Sequence, residues 1–526
     1  MSLPSRPKYQ GETRKLLLAF DIGTTFSGIS YRYPSQEHVG GDSKIPTVIY
    51  YDKDGKPCAI GAETLKEGIE ADAEEKSWSK AYWFKLHLRP KTKGAMADRD
   101  EIPPLPPNKT VIQVFTDYMR YLHQCAKDYI SQTHGALFWR SLEDEILYVL
   151  THPNGWEGAQ QASMRNAAIL AGFIPDTADG RSRISFVTEG EASLHFCLSN
   201  GLTMNGSGNN GSGVLIVDAG GGTIDVTAYQ KLANDSFEEI AIPKCYFQGS
   251  IYVTSRAEKH FDDLLSGTRF HQDVPILATR FDRNTKHVFR RDDEPHHIQF
   301  ASHRERDAAL NIRAGRITVS GRVVASFFEP SISCIIEAIK LQKRIAHSPI
   351  ESVFLVGGFS ASTWLFEKVK KAIEPLGIGV FRPDSHVNKA VSNGAVSFFL
   401  DSVVKSRISR VTYGARQSEL DSPVSAIHSY RGTLQSPKWF VDEPEQYTLE
   451  CLIRADTSSV KREQIYSTFK NAYYYQMDFD IVLMLGLTEL KAQIAYLENG
   501  IERRGPATII YEGDDLATWR SNSPID

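Results

Sequence analysis

The chain has little of what marks several protein classes. Its 526 residues include only six cysteines (Cys58, Cys125, Cys197, Cys245, Cys334, Cys451), and no two form a CxxC pair. That scarcity and scatter exclude a disulfide framework or a cysteine zinc site and read as reduced thiols in a cytoplasmic protein. No uncharged apolar run reaches the ~18 residues of a membrane helix, so no membrane span is expected. Residues 1–14 carry Arg6, Lys8 and Arg14 without an apolar core, unlike a secretory signal. The Asn-x-Ser/Thr triplets at Asn108, Asn205, Asn210 and Asn234 therefore carry little weight. Neither sign of charge dominates: the formal net charge of −4 gives no basis for a nucleic-acid or membrane-surface protein. GxxxxGK[ST] is absent, which excludes a P-loop. Gly206–Gly211 spells GxGxxG, but it precedes a strand and opens no helix, so the dinucleotide fingerprint fails its context.

What is present is an ordinary globular mixture, 41% hydrophobic and 24% charged, in a chain long enough for roughly three domains. The first strong element is Leu16–Phe20, an apolar run that ends in Asp21-Ile22-Gly23-Thr24-Thr25 before apolar and small residues resume at Gly28–Tyr31. This pattern reads as strand, tight turn, strand. Helical spacing marks 111–131 and 156–171, and Ile146–Leu150 reads as a buried strand ended by Pro153. Residues 88–110 hold five prolines and read as a loop. A Gly/Asn/Ser-rich connection, 201–213, then precedes a repeat of the opening pattern. Val214–Val217 leads into Asp218-Ala219-Gly220-Gly221-Gly222-Thr223, and Ile224–Tyr229 alternates as the return strand. Both segments read apolar-Asp-small-Gly-Thr-apolar. Downstream, Ser352–Val356 runs into Gly357-Gly358 and a helix over about 361–373. Residues 270–320 are charged and weakly periodic. Beyond about 405, alternating segments at 447–453, 479–485 and 508–511 predict a small β-rich domain.

The chemistry of a magnesium triphosphate explains the repeat. Phosphate oxygens need backbone N–H groups at close approach, which glycine permits. Hydroxyls add hydrogen bonds, and carboxylates hold a hydrated magnesium that takes few direct protein ligands. Asp21 and Asp218 at the strand ends, Gly23 with Gly220, Gly221 and Gly222, and Thr24, Thr25 and Thr223 supply all three. One such loop alone could equally be a hairpin turn using Asp and Gly for backbone reasons. A matched pair with a third Gly-Gly turn after a strand is far more specific.

These three segments, in this order, resemble the actin-like ATPase superfamily, most closely the seventy-kilodalton heat-shock chaperones. The resemblance covers about 15–400, and its divergence is similar to the atypical branch found in fungi and, distantly, in vertebrates. It implies an α/β fold, two actin-like lobes built from duplicated ribonuclease-H-like domains and flanking a deep cleft, with a small β-rich C-terminal domain. Boundaries follow: a tail at 1–14, lobe I at 15–200, lobe II at 201–405 with the chain returning to lobe I near its end, the β-rich domain at 406–515, and a polar tail at 516–526. The expected cofactors are ATP or ADP with Mg2+, with Asp21 and Asp218 on the metal through water and Gly357-Gly358 at the adenosine.

The resemblance also nominates Lys85, Glu189, Thr223 and Asp225 as catalytic. Without it, Lys85 reads as a surface lysine, Glu189 as a solvated carboxylate and Asp225 as a polar residue on an exposed strand face. Pro153 matches a proline used between lobes, though the end of a strand explains it equally well. Three departures stand out: Ala361 where the family has an adenine-stacking arginine, Asn388 where it has an aspartate, and Gln161 where an arginine pairs with the hinge proline. Asp282 and Lys286 are adenosine candidates whose plainer reading is a solvated helix face. No acidic-apolar linker is visible, and no chain is left over for a helical lid. The segment 460–469 is similar to a peptide-gripping β-subdomain, with a plain β-domain core as the simpler reading. The expected function is a chaperone-like ATPase, weak in turnover, with unfolded or specific client proteins and co-chaperones as partners. The alternatives are a nucleotide-gated scaffold with little turnover and, further off, a small-molecule kinase of the same superfamily.

Overall fold

The structure is a computed structural model. It describes residues 15–33, 44–90, 102–156, 158–200, 213–232, 235–383, 389–409, 412–417, 424–432, 434, 437, 439, 441–468, 471–484 and 488–511. The terminal tails at 1–14 and 516–526, residues 201–212 with their GxGxxG, and Asn388 lie outside them. The chain divides into two compact units, one of residues 1–156 and 163–406, the other of 157–162 and 407–526.

The first unit is built around two mixed sheets with one shared plan. In the first sheet, β1 (Leu17–Ile22) lies between its antiparallel hairpin partner β2 (Phe26–Arg32) and the parallel β3 (Leu147–His152). In the second, β4 (Gly213–Ala219) lies between its hairpin partner β5 (Ile224–Lys231) and the parallel β11 (Ile350–Val356). Every residue of β1 and β4 is buried. A strand covered on both faces needs an almost unbroken apolar run, and each run breaks at one polar residue, Asp21 or Asp218, near its C-terminal end. The short β6 (Lys244–Tyr246) adds to β5, with Asp225 opposite Cys245.

Two helices fill the space between the sheets. α1 (Glu189–Ser199) packs Leu194, Phe196 and Cys197 on the second sheet, and α3 (Ala390–Asp401) packs Val391, Ala395 and Val396 on the first. They cross so closely that a Cβ on Gly394 would lie 1.7 Å from the Ala192 carbonyl oxygen. The outer face of the first sheet is covered by helix Val111–His134. The outer face of the second is covered by α2 (Ser250–Leu265) and the 25-residue helix Gly321–Ile345.

Residues 270–320, which show little periodicity, hold helix Val274–Arg280, a π-helical turn at Phe281–Thr285 and a four-stranded antiparallel sheet. Its strands are β7 (His296–Gln299), β8 (Arg306–Asp307), β9 (Ile312–Arg313) and β10 (Arg316–Val319).

The second unit is β-rich. A six-stranded antiparallel sheet includes Val424–Tyr430, Tyr447–Ala455 and Ile501–Ile510 around a core of Ile427, Cys451 and Ile453. The segment 460–469 contributes one arm of a separate hairpin, Glu463–Ser467 with Ala472–Gln476. Gln161 is buried within this unit and donates to the Thr488 carbonyl at 2.8 Å. Among the described residues, no helix is long and apolar enough to cross a membrane.

Candidate functional site

The β1–β2 and β4–β5 turns meet face to face within the first unit. A Cβ on Gly221 would lie 2.4 Å from Thr25 Oγ1, and one on Gly222 2.3 Å from Thr24 Oγ1. Only glycine allows the two turns this approach. The Gly220–Gly222 turn is held from behind by the N-terminus of α2. Gly222, Gly220 and Gly221 carbonyls accept from the amides of Gly249, Ser250 and Ile251 at 3.2, 3.1 and 2.9 Å. Carbonyl and following N–H point oppositely in a trans peptide, so the amides of Gly221, Gly222 and Thr223 are aimed away from α2. Gly249 is a site residue the sequence did not single out.

Both turns line a cleft of about 1530 Å³, together with Lys44, Lys85, Glu189, Gly357, Gly358, Asp282 and Lys286. The volume exceeds the ~300–1,000 Å³ of ordinary ligand pockets, enough for a nucleotide with metal and water. Asp21 accepts from Lys44 Nζ at 3.2 Å and from Thr151 Oγ1 at 3.3 Å. Asp218 accepts from Ser193 Oγ at 2.8 Å. Lys85 and Glu189 form a 2.5 Å ion pair and are both buried, with Lys85 also lying 5.5 Å from the Trp156 ring centre. This removes the surface-lysine and solvated-carboxylate readings. Lys85 sits in a short turn, Phe84–Leu88, entered through Trp83 at φ +54°, a left-handed conformation uncommon for a bulky side chain.

Asp225 is fully buried and lies behind the cleft wall rather than on it, so the exposed-strand reading is corrected. Its Oδ1 accepts from the Asn154 amide at 2.6 Å, and its Oδ2 has no hydrogen-bond partner among the described residues. Asn154 follows Pro153 at the end of β3. Its side chain donates to Thr227 Oγ1 at 2.8 Å and accepts from the Gly190 amide at 3.3 Å. One loop of the first sheet thus ties α1 to β5 of the second.

The electrostatics follow from this crowding. Burial drives the Glu189 carboxyl up to about 8, against the pull of Lys85 and with the added push of Asp225, Asp21 and Asp218. Burial likewise carries Asp218 to about 7 despite the Ser193 hydrogen bond, and it raises Asp225. Burial alone would lower Lys85, but Glu189, Asp21 and Asp225 outweigh it and keep the ammonium charged. Four carboxylates against two lysines leave a deficit of two positive charges, which protons or one divalent cation can balance. No described group of three or more His, Cys, Asp or Glu side chains could hold a metal directly; Asp21 and Asp218, lining the cleft beside the Gly turns, are the donors that could meet a hydrated cation.

A pH dependence follows. In the absence of metal and nucleotide, the folded state keeps protons on Asp218 and Glu189 that the unfolded chain has shed. Their contribution is complete below about pH 4 and is lost as pH rises through about 7 to 8, worth about 4 kcal/mol for Asp218. Thermal unfolding without metal is therefore expected to shift to lower temperature from pH 5 to pH 8. Asp218→Asn should flatten that slope; an unchanged slope would contradict the assignment.

The far end of the cleft differs from its expected form. Gly357 has φ +84°, and a Cβ there would lie 2.2 Å from Asp218 Oδ1. Lys286 is buried, not on a solvated face: its Nζ reaches Thr254 Oγ1 at 3.1 Å, the Ser250 carbonyl at 3.3 Å and Asp282. Against the desolvation of its half-buried site, Asp282 is held below the usual carboxylate range by Lys286 and Thr254. Arg382 lines the same end, donating to the Ser360 and Ala361 carbonyls at 3.1 and 3.4 Å with its guanidinium 4.2 Å from the Phe366 ring centre. An arginine therefore reaches the Ala361 turn from a separate strand end, which local sequence could not show.

Duplicated sheets, facing Gly loops and a carboxylate-lined cleft define an actin-like ATPase fold of two lobes, joined in this chain to a β-rich region. No family model matches the sequence. The chain is 24% identical over 501 residues to heat shock 70 kDa protein 12A of Mus musculus, spanning 78% of this chain and 73% of that protein. It is 23% identical over 500 residues to human heat shock 70 kDa protein 12B, spanning 76% and 71%. Over these spans the chain is similar to proteins of the 70 kDa heat-shock family.

Proposed function

We propose that this cleft binds magnesium ATP and hydrolyses it slowly, and that its occupancy controls lobe closure and the engagement of a protein client or partner. The observation that carries this reading is the apposition of Gly221 and Gly222 with Thr25 and Thr24 beside buried carboxylates. Gly23, Thr24, Thr25, Gly220, Gly221, Gly222 and Thr223 would cradle phosphates. Asp21 and Asp218 would hold the metal through water, and bound magnesium would neutralise phosphate charge. Lys85 supplies positive charge at the cleft wall and orients water there together with Glu189. Asp225 is a positioning residue, acting through Asn154. Gly357, Gly358, Lys286 and Arg382 would form the nucleoside end.

Titration of ATP, ADP and GTP, with and without magnesium, tests binding and base choice. Phosphate release tests turnover. Asp21→Asn combined with Asp218→Asn is expected to slow release by roughly 100-fold. ATP binding with release no faster than in that double variant would favour a nucleotide-gated scaffold. Absence of nucleotide binding would overturn both readings.

A further inference from the structure

Outside the cleft, lobe II carries a row of arginines that its own fold does not explain. In the order β7-β10-β9-β8, Ile298, Ile317 and Ile312 turn inward and are buried. The registers then set Gln299 opposite Arg316, Arg316 opposite Arg313, and Arg313 opposite Arg306. One exposed arginine on each of β10, β9 and β8 results, on the outer face, with exposed Arg304 two residues before the last. Neighbouring strands lie about 4.8 Å apart, so the row spans about 10 Å.

None of these four guanidinium groups has an ion pair among the described residues. The adjacent carboxylates are engaged elsewhere: Glu305 pairs with Arg269 at 2.8 Å, and Asp307 Oδ1 accepts from the Ala309 and Leu310 amides at 3.0 and 3.2 Å. Like charges directly opposite each other destabilise a sheet. Three in succession oppose folding, and an anion that bridges them removes the conflict.

The chemistry narrows that anion. The positive charge comes from arginines, whose planar forks grip phosphate bidentately, where a diffuse attraction would be served equally by lysine. The row offers no Phe, Tyr or Trp on which a base could stack and no apolar side chain to enter a bilayer. An extended acidic peptide repeats carboxylates on one face every ~6.8 Å, out of step with the strand spacing. We propose that Arg306, Arg313 and Arg316 form a binding site for a compact, soluble polyphosphorylated molecule with phosphates about 5 Å apart.

The test is fluorescence anisotropy of labelled inositol hexakisphosphate with the full chain. Saturable binding is expected that magnesium ATP does not displace. Arg306→Gln, Arg313→Gln and Arg316→Gln together should weaken it about 100-fold or more without lowering the melting temperature. The corresponding triple lysine variant, which keeps the charge but loses the fork, should bind roughly tenfold more weakly than the parent. Equal binding by the glutamine or the lysine variant would overturn the proposal. So would displacement by magnesium ATP, or stronger competition per charge from polyglutamate, single-stranded RNA or anionic vesicles.

Discussion

Lys85→Ala is expected to slow phosphate release by on the order of 10²- to 10³-fold while the protein still folds at neutral pH. Lys85 is a buried cation of the cleft wall, paired to Glu189 at 2.5 Å. Its removal leaves Glu189 buried near three aspartates. A buried charge stripped of its partner ordinarily costs about 3–5 kcal/mol. Glu189 has another route, because burial already raises its carboxyl to about 8, and loss of Lys85 removes a cation that lowers it. The carboxyl takes up a proton, so much of the penalty is avoided at pH 7 and returns as pH rises. The double variant Lys85→Ala/Glu189→Gln should therefore recover stability at pH 8 without recovering turnover. Single-turnover phosphate release and thermal unfolding at pH 6 and pH 8 separate the two effects. Unchanged release in Lys85→Ala, with ATP still bound, would make the ion pair a structural feature only.

The part of the site that was legible in sequence is the part made by local chain geometry. Asp21 and Asp218 stand out because they interrupt strands that are otherwise continuously apolar, and the glycines and threonines follow within a turn. The remaining groups owe their roles to long-range packing. Lys44 and Thr151 reach Asp21 from 23 and 130 residues away, and neither lies in a motif. Ser193 is hidden in α1, which is buried all round through Cys197 between two sheets and so shows no amphipathic period. Asp282 and Lys286 have the i,i+4 spacing of a solvated helix pair. The burial of Lys286 and the bonds of both are set by Ser250 and Thr254 on α2, about 30 residues earlier. The long helix Gly321–Ile345 carries Pro330 in its interior, a residue that argues locally against the helix that packing imposes.

Gly357→Ala and Gly358→Ala should have opposite outcomes, although both glycines belong to one turn. Gly357 has φ +84° and ψ 161°, a region essentially confined to glycine, and its Cβ would lie 2.2 Å from Asp218 Oδ1 and 2.5 Å from the Ala219 carbonyl oxygen. The Ala219 backbone has little room to yield, because β4 is held between β5 and β11. Backbone strain and overpacking together predict a loss on the order of 4 kcal/mol. Displacing Asp218 should also weaken magnesium-nucleotide binding by roughly 10- to 100-fold. Gly358 has no such constraint: its φ is not in the left-handed region, and among the described residues nothing lies within 4 Å of a Cβ placed there. Gly358→Ala should melt with the parent. Any affinity it loses then reports a nucleotide occupying the space its methyl group enters, since no atom of the described residues does. Equal melting of the two variants would contradict the geometry of this turn. Unchanged nucleotide affinity in Gly358→Ala would place the nucleoside elsewhere along the cleft.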